Sequence, residues 1–366
     1  MSQATISDAT FSANDHRFMA RALRLAGKAE GSAHPNPRVG CVIVADDVIV
    51  GEGWHEEAGG PHAEVHALRA AGEKARGARC YVTLEPCSHH GRTPPCANAL
   101  LSAGLAEVVV AMTDPDPRVS GTGIERLREA GVRVRTGLMA DAAAALNRGF
   151  VSRNTRGRPW VTAKLAASLD GRTALANGVS QWITGPEARA DVHRLRARAD
   201  AVLTGIGTVL ADDPSLTARP DVPVKRQPLR VVLDSHLRTP ATARLLGLPG
   251  DTLILTTTDG VREGARVEHI DAADGRLDLA AVMARLANWP VNEVWVEAGA
   301  TLSGALLQAG LVDEWILYLA PHILGDGARG LMALPVFTEM AQRQEFLISD
   351  VRQTGDDLRL TLRPRA

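Results

Sequence analysis

Residues 61 to 72 read PHAEVHALRAAG and residues 81 to 104 read YVTLEPCSHHGRTPPCANALLSAG, so His62, Cys87 and Cys96 each follow a proline directly. Proline suits the first turn of a helix, where unpaired N–H groups and the positive end of the helix dipole favour a thiolate. The three side chains are therefore expected to converge from helix starts, a demand that few arrangements meet. One imidazole and two thiolates are donors that borderline-soft Zn2+ favours, and three protein donors leave a fourth tetrahedral position open to water. Glu64 stands two residues after His62. In mid-helix such a pair points to opposite sides, but in the first turn both can reach a metal seated beyond the helix end. A carboxylate there can take a proton from water activated by zinc, whose pKa falls to about 7, and pass it to a leaving nitrogen. Hydrolytic removal of an amino group from a pyrimidine requires that transfer.

The general zinc deaminase signature is H-x-E with P-C-x-x-C. This chain meets it in part, because eight residues, SHHGRTPP, separate Cys87 from Cys96. Other readings stand beside it. His66 could pair with His62 on one helix face as in zinc proteases, but those carry Glu directly after the first His, and here Ala63 intervenes; packing or support behind the ligands is the reading taken. A structural zinc would want a fourth protein donor, which His89 or His90 could supply, but it leaves Glu64 without a role. Cys41 and Cys80 lie in strand-like apolar runs and read as buried packing thiols.

The chain of 366 residues suits two domains, and its 45% hydrophobic content with 34 Gly and 20 Pro fits a loop-rich α/β protein. No apolar run approaches the roughly 20 residues that cross a bilayer. The opening residues lack a basic start and an apolar core, which predicts a cytoplasmic protein with a disordered arm over residues 1 to 14. With 41 basic and 42 acidic residues the net charge is −1, and no basic block suits a nucleic acid.

Short strands and helices alternate up to about residue 145, including a helix around 15 to 29, a hairpin turning at Asp46-Asp47 and an edge strand GVRVRTG. The polar, Gly/Pro-marked VSRNTRGRPW, residues 151 to 160, reads as a boundary, giving a first domain over 15 to 146, a linker over 147 to 158 and a second domain over 159 to 366. The second alternates strands such as WVTAKLAAS, DAVLTGIGT and EVWVEAG with helical patterns and ends in an antiparallel hairpin. It lacks G-x-G-x-x-G and a local nucleophile triad. Its best local hint is VEAGATLSGALLQAG, where a strand ends at Glu297 and Gly299 leads into a helix whose free N–H groups could meet phosphates; mere turn chemistry explains the glycine equally.

Through PHAEVHAL, TLEPCSHHGRTPPC, HPNPRVGCVIV, LAASLDGRTA, SQWITG, VLADDPSLTAR, WVEAGATLSGALL and LVDEWILYLAP the chain resembles the bifunctional pyrimidine deaminases and reductases of bacterial riboflavin biosynthesis. The resemblance covers nearly everything after residue 15. It implies an α/β protein with an N-terminal cytidine-deaminase-like three-layer domain and a C-terminal dihydrofolate-reductase-like domain. The implied reactions are zinc-dependent deamination of 2,5-diamino-6-(5-phosphoribosylamino)pyrimidin-4(3H)-one and NADPH-dependent reduction of the ribosyl group to a ribityl chain. Small-molecule substrates and a homo-oligomer, dimer or tetramer, are implied as well. A nucleic-acid base deaminase with a non-catalytic C-terminal binding domain is the alternative.

By resemblance Asn36, His55, Arg92, Asp114 and Asp116 form the deaminase pocket. Asn36 can meet a pyrimidine edge as donor and acceptor, and Arg92 suits a phosphate; HPNP and TDPDPR read equally as turn and loop. The resemblance assigns Ala166, Trp182, Thr208, Asp212, Ser235 and the run Gly299, Ala300, Thr301, Leu302, Ser303, Gly304, Ala305 to NADPH. It assigns Ser180, Arg196, Leu216, Arg219 and Glu297 to the reductase substrate. Arg196 and Arg219 make sense as a phosphate clamp. Lys164 and Glu297, both taken to lie near strand ends, are candidates for positioning or protonating the sugar as the cofactor delivers hydride.

Overall fold

A computed structural model describes residues 10–88, 95–219, 221, 224, 226–273 and 275–365. The chain divides into two compact units, Met1–Gly157 and Arg158–Ala366. Among the described residues no helix is long and apolar enough to cross a membrane.

The first unit runs α1 (Ala13–Gly27), β1 (Gly40–Ala45), β2 (Val48–Trp54), α2 (Ala63–Ala71), β3 (Arg79–Val82), α3 (Cys96–Ser102), β4 (Glu107–Val110), α4 (Thr122–Glu129), β5 (Arg133–Thr136), α5 (Ala140–Leu146) and α6 (Arg148–Arg156). Its sheet has the order β2-β1-β3-β4-β5, with β1 antiparallel to both neighbours and β3, β4 and β5 parallel. Asp46 and Asp47, with φ of 49° and 58°, make the tight hairpin turn, a conformation that short polar side chains tolerate. Alternation along the strands gives each face its own core. Cys41, Ile43, Cys80, Val82, Val108 and Val110 pack with Ala63, Ala67, Leu100 and Leu127 of α2, α3 and α4. On the opposite face Val42, Val44, Tyr81 and Val109 pack with Phe18, Met19 and Leu25 of α1 and Ala143 of α5. The result is three layers, helices over both faces of one sheet. Cys41 and Cys80 are buried and free.

Two expectations about the ends of this unit need correction. Helix α1 begins at Ala13, because Ser12 and Asp15 form a reciprocal cap, the Asp15 amide donating to Ser12 Oγ at 3.1 Å and the Ser12 amide to Asp15 Oδ2 at 2.8 Å. Residues 12–14 thus belong to a helix start, Phe11 before it packs against the core, and of the expected arm residues 1–9 lie outside the described residues. The expected linker, 147–158, is largely helix α6, ended by Gly157 at φ 66°. Its polar residues form an outer face while Gly149 and Ser152 are buried, so polarity there marked amphipathicity as well as a boundary. Asn147 anchors it, accepting from the Arg38 amide at 2.8 Å and donating to the Arg38 carbonyl at 2.9 Å.

The second unit runs β6 (Trp160–Ser168), β7 (Arg172–Ala174), α7 (Pro186–Arg198), β8 (Ala201–Gly205), α8 (Ile206–Asp212), β9 (Leu229–Leu233), β10 (Thr252–Thr256), β11 (Arg266–His269), β12 (Ala272–Ala273), β13 (Arg276–Leu277), α9 (Leu279–Asn288), β14 (Glu293–Glu297), α10 (Ala300–Gln308), β15 (Glu314–Ala320), β16 (Arg329–Gly330), β17 (Phe346–Thr354) and β18 (Asp357–Pro364). The main sheet has the order β11-β10-β9-β8-β14-β6-β15-β18-β17. Its pairs are parallel from β11 through β15, and β18 and β17 close it as an antiparallel hairpin. Apolar cores cover both faces, as a sheet built from parallel crossovers demands. The apolar run 200–208 does not continue as one strand: β8 stops at Gly205, whose extended backbone caps α8 and lets the chain turn into the helix. Thr208 and Asp212 are therefore helical.

Candidate functional site

In the first unit the position of α2 is set by direct backbone contact. A Cβ at Gly53 would lie 2.4 Å from the Ala63 carbonyl oxygen, and one at Gly51 would lie 2.2 Å from that of Ala67. Only glycine lets the helix settle this closely on β2. His62 caps α2 in an extended conformation and Glu64 follows in the first turn, buried. Cys96 opens α3 after Pro95.

Cys87 departs from expectation, since it does not enter a helix. It lies in the segment between β3 and α3, and its backbone and side chain serve the start of α3: the Cys96 amide donates to Cys87 Sγ at 3.3 Å and the Ala97 amide to the Cys87 carbonyl at 3.1 Å. A Pro-Cys pair reads alike at a helix entry and in a segment that caps one.

His62, Cys87 and Cys96 bring one ligand atom each to within 4.8 Å of one another. His62 Nδ1 lies 3.2 Å from Cys96 Sγ and 3.6 Å from Cys87 Sγ. One nitrogen and two sulfurs closing on a single point form the donor chemistry that zinc prefers. The Cys87 thiol is held far below the ordinary range by hydrogen bonding from the Cys96 side chain, with His62 and the Cys96 amide adding to it, whereas Cys96 is pushed up by its bond to Cys87 and by burial. His62 is raised, chiefly by Cys87. Burial pushes Glu64 up to about 6, against the neighbouring His62. Its carboxyl also meets the Cys96 thiol.

The residues expected to form the pocket fall into groups. Asn36 Nδ2 lies 3.1 Å from His55 Nε2, and His55 Nδ1 lies 3.1 Å from the Pro61 carbonyl oxygen. Both ring nitrogens of His55 are thus occupied, and the residue is 3% exposed. Burial holds its pKa down, and its ring meets His62 edge-on at 5.3 Å. Asp114 and Asp116 share the loop after β4, where Asp114 Oδ1 accepts from the Asp116 amide at 2.9 Å and Asp116 binds the Arg118 guanidinium. His66 is not among the converging donors. Arg92, and the proposed fourth donors His89 and His90, lie outside the described residues.

In the second unit Glu297 ends β14, but Lys164 sits in the middle of β6. It is register, not a shared strand end, that brings them side by side, because β6 runs on past β14. Arg196 does not stand open as half of a phosphate clamp. Its guanidinium donates to Glu297 Oε1 and Oε2, both at 2.8 Å, and to the Thr217 carbonyl at 2.6 Å. Trp295 Nε1 donates to Glu297 Oε1 at 2.8 Å. A half-buried carboxylate at a strand end needs such partners. Burial works to raise Glu297, but Arg196 and Lys164 outweigh it and the net shift is downward; burial lowers Lys164, with Arg196 adding to it.

Arg219 is exposed, three residues after the buried Leu216 with its φ of 51°. Its amide donates to His193 Nδ1 at 3.3 Å, a residue that sequence reasoning missed. Burial, then Arg196 and Arg219, bring His193 down to about 4. Gly299 caps α10, and Ala300, Thr301 and Leu302 make its first turn. Ser303 and Gly304 face inward, Ser303 Oγ bonding the Ala298 carbonyl at 3.3 Å, so only the start of the run 299–305 presents its backbone outward. Ala166 lies in β6 and Ser235 directly follows β9. Ser180 precedes Trp182, which is 68% exposed under the Arg189 guanidinium.

Comparison with known proteins agrees with both units. Residues 12–112 match the cytidine and deoxycytidylate deaminase zinc-binding region, and residues 159–359 match the RibD C-terminal domain. The Escherichia coli (strain K12) riboflavin biosynthesis protein RibD is 52% identical over 363 residues, covering 95% of this chain and 99% of that protein. A solved Acinetobacter baumannii RibD superposes with a TM-score of 0.90 at 46% identity, over 96% of this chain and 99% of the other. The Thermotoga maritima structure described as a diaminohydroxyphosphoribosylaminopyrimidine deaminase/5-amino-6-(5-phosphoribosylamino)uracil reductase gives a TM-score of 0.86 at 33% identity, over 96% and 99% of the two chains. The first unit is thus a cytidine-deaminase-like zinc-binding domain and the second a reductase domain of the dihydrofolate-reductase-like kind. The chain belongs to the bifunctional deaminase and reductase family of riboflavin biosynthesis, the RibD family.

Proposed function

We propose that the first unit removes the 2-amino group of 2,5-diamino-6-(5-phosphoribosylamino)pyrimidin-4(3H)-one by hydrolysis. The second unit then reduces the ribosyl group with NADPH to give 5-amino-6-(5-phosphoribitylamino)uracil. The name of the Thermotoga maritima relative supports this pair of substrates. The observation that carries the reading is the convergence of His62, Cys87 and Cys96 beside the buried carboxyl of Glu64.

His62, Cys87 and Cys96 would hold zinc, which when bound supplies a Lewis acid that makes water nucleophilic at neutral pH. Glu64 takes the proton of the attacking water and hands it to the departing amino nitrogen. Burial suits it to both tasks, because a carboxyl raised to about 6 accepts and returns a proton near neutrality. Asn36, fixed by His55, offers its amide to the pyrimidine edge. Asp114 and Asp116 would meet the phosphoribosyl tail from the loop after β4, and Arg92, outside the described residues, is of the residue type that suits its phosphate.

In the second unit the N–H groups at the start of α10 suit the cofactor's phosphates, with Ala166, Trp182, Thr208, Asp212 and Ser235 contributing along its length. Ser180, Leu216 and Arg219 hold the substrate. Glu297, fixed by Arg196 and Trp295, orients the sugar beside Lys164. Two assays on the purified chain test the reading: ammonia release from the diaminopyrimidine, and NADPH oxidation when the deaminated product is supplied. Absence of either activity with zinc-replete protein overturns the corresponding half.

A further inference from the structure

The carboxylate of Glu85 lies two residues before Cys87, is 4% exposed, and takes four backbone N–H groups. Oε2 accepts from Asp114 at 3.1 Å and Gly121 at 2.9 Å, while Oε1 accepts from Gly123 at 2.8 Å and Ile124 at 3.3 Å. The last three amides belong to the start of α4, so a negative charge sits at the positive end of that helix. The first belongs to the loop after β4. Contacts around it carry the same connection in both directions. Toward the cysteine, a Cβ at Gly123 would lie 1.9 Å from the Pro86 carbonyl oxygen, so α4 rests directly on the residue before Cys87. Ser88 Oγ meets Thr122 Oγ1 at 2.6 Å on the far side of Cys87. Toward the loop, the Asp114 amide held by Glu85 belongs to the residue whose Oδ1 takes the Asp116 amide.

We propose that Glu85 is a positioning residue of the deaminase: one buried carboxylate fixes, from the same two oxygens, the segment carrying Cys87 and the loop carrying Asp114 and Asp116. It touches neither the metal donors nor the pyrimidine, and works by holding two parts of the pocket at a set separation. The proposal rests on the deaminase reading above.

Glu85→Gln is the test, because it keeps shape while placing an NH2 group against two backbone N–H groups that both need an acceptor. The expected result is a rise of about tenfold or more in the KM for the diaminopyrimidine, faster zinc loss to a chelator, and NADPH oxidation on the supplied product within twofold of the parent, in line with the roughly 10- to 100-fold cost of losing a supporting hydrogen bond. Glu85→Asp, which keeps the charge but shortens the reach, is expected to fall between them and serves in place of Glu85→Gln should that variant fail to fold. A lower melting temperature with unchanged KM and zinc retention would show that Glu85 only holds the fold, and would overturn the proposal. Lack of ammonia release by the parent chain would instead overturn the deaminase reading itself.

Discussion

In the first unit two sulfurs, an imidazole and a carboxyl crowd one point: Cys87 and His62 favour each other's charged forms, while Glu64 and Cys96 are both pushed toward their protonated forms. In the second unit the buried ions are matched within the chain, Glu297 being held by Arg196 and Trp295 with Lys164 alongside. The first arrangement is one that a dication completes; in the second a single carboxylate already faces two cations of the chain itself. Two sites on one polypeptide thus illustrate two ways to keep charge away from water: donate it to a metal, or pair it in place.

The largest way to break this contrast is Glu64→Gln. Ammonia release is expected to fall by about three orders of magnitude, within the usual range for a lost general acid-base group. Zinc content by atomic absorption and NADPH oxidation should stay at parental levels. Deamination at near parental rate would remove Glu64 from the chemistry.

The counterpart in the second unit is Arg196→Met, which takes from Glu297 its bidentate partner and leaves it Trp295 and Lys164. Removing one member of a buried pair costs about 3 to 5 kcal/mol of stability, so the melting temperature of the second unit should fall and NADPH oxidation should drop, in kcat as well as KM, while ammonia release holds. A change confined to the KM for the phosphorylated substrate, with kcat kept, would restore Arg196 to the role of phosphate ligand.

A third test asks whether pairing also governs stability away from either site. Asp15 accepts from Tyr81 at 2.6 Å and from Arg135 at 3.2 Å. Burial alone would raise its pKa, but Arg135, Tyr81 and the Ser12 amide outweigh that and depress it well below the ordinary carboxylate range. A depressed folded-state pKa gives stability that is present above the unfolded value and disappears as pH falls through the folded one. Asp15→Asn should therefore cost about 3 kcal/mol at neutral pH, and the gap from the parent should narrow in denaturant titrations as acid protonates Asp15. A gap constant down to strong acid would show that the charge contributes nothing.

The smallest effect is expected at His193. Its Nδ1 accepts from the Arg219 amide, which leaves the proton on Nε2. His193→Asn should raise the reductase KM by roughly threefold, the scale of one neutral hydrogen bond, and leave kcat alone. A large fall in kcat would move His193 into the reacting centre.

The two sites also differed in how far the residues announced them. His62, Glu64 and the two cysteines were legible because metal-binding side chains are chemically distinctive and lie within 35 residues of one another in sequence. The role of Cys87 as the cap of α3 was not legible, since proline before cysteine fits a helix entry equally. Glu85 was missed because its partners are backbone amides, which leave no trace in residue type; the glycines at 121 and 123 were the only local sign. In the second unit Arg196, on α7, and Glu297, at the end of β14, stand 101 residues apart and meet only in the fold, so sequence named both residues but not their pairing. The strand and helix alternation of both units was readable from hydrophobic period, whereas α6 was masked by its polar outer face.

Helix α2 rests on bare main chain at Gly51 and Gly53, with no side chain between to act as a cushion. The sheet therefore works as a gauge block for Glu64: a single methyl inserted at Gly53 would act as a shim beneath the turn that carries it. Such a change would leave every reacting group present and the reductase half untouched, yet would detune the deaminase from behind.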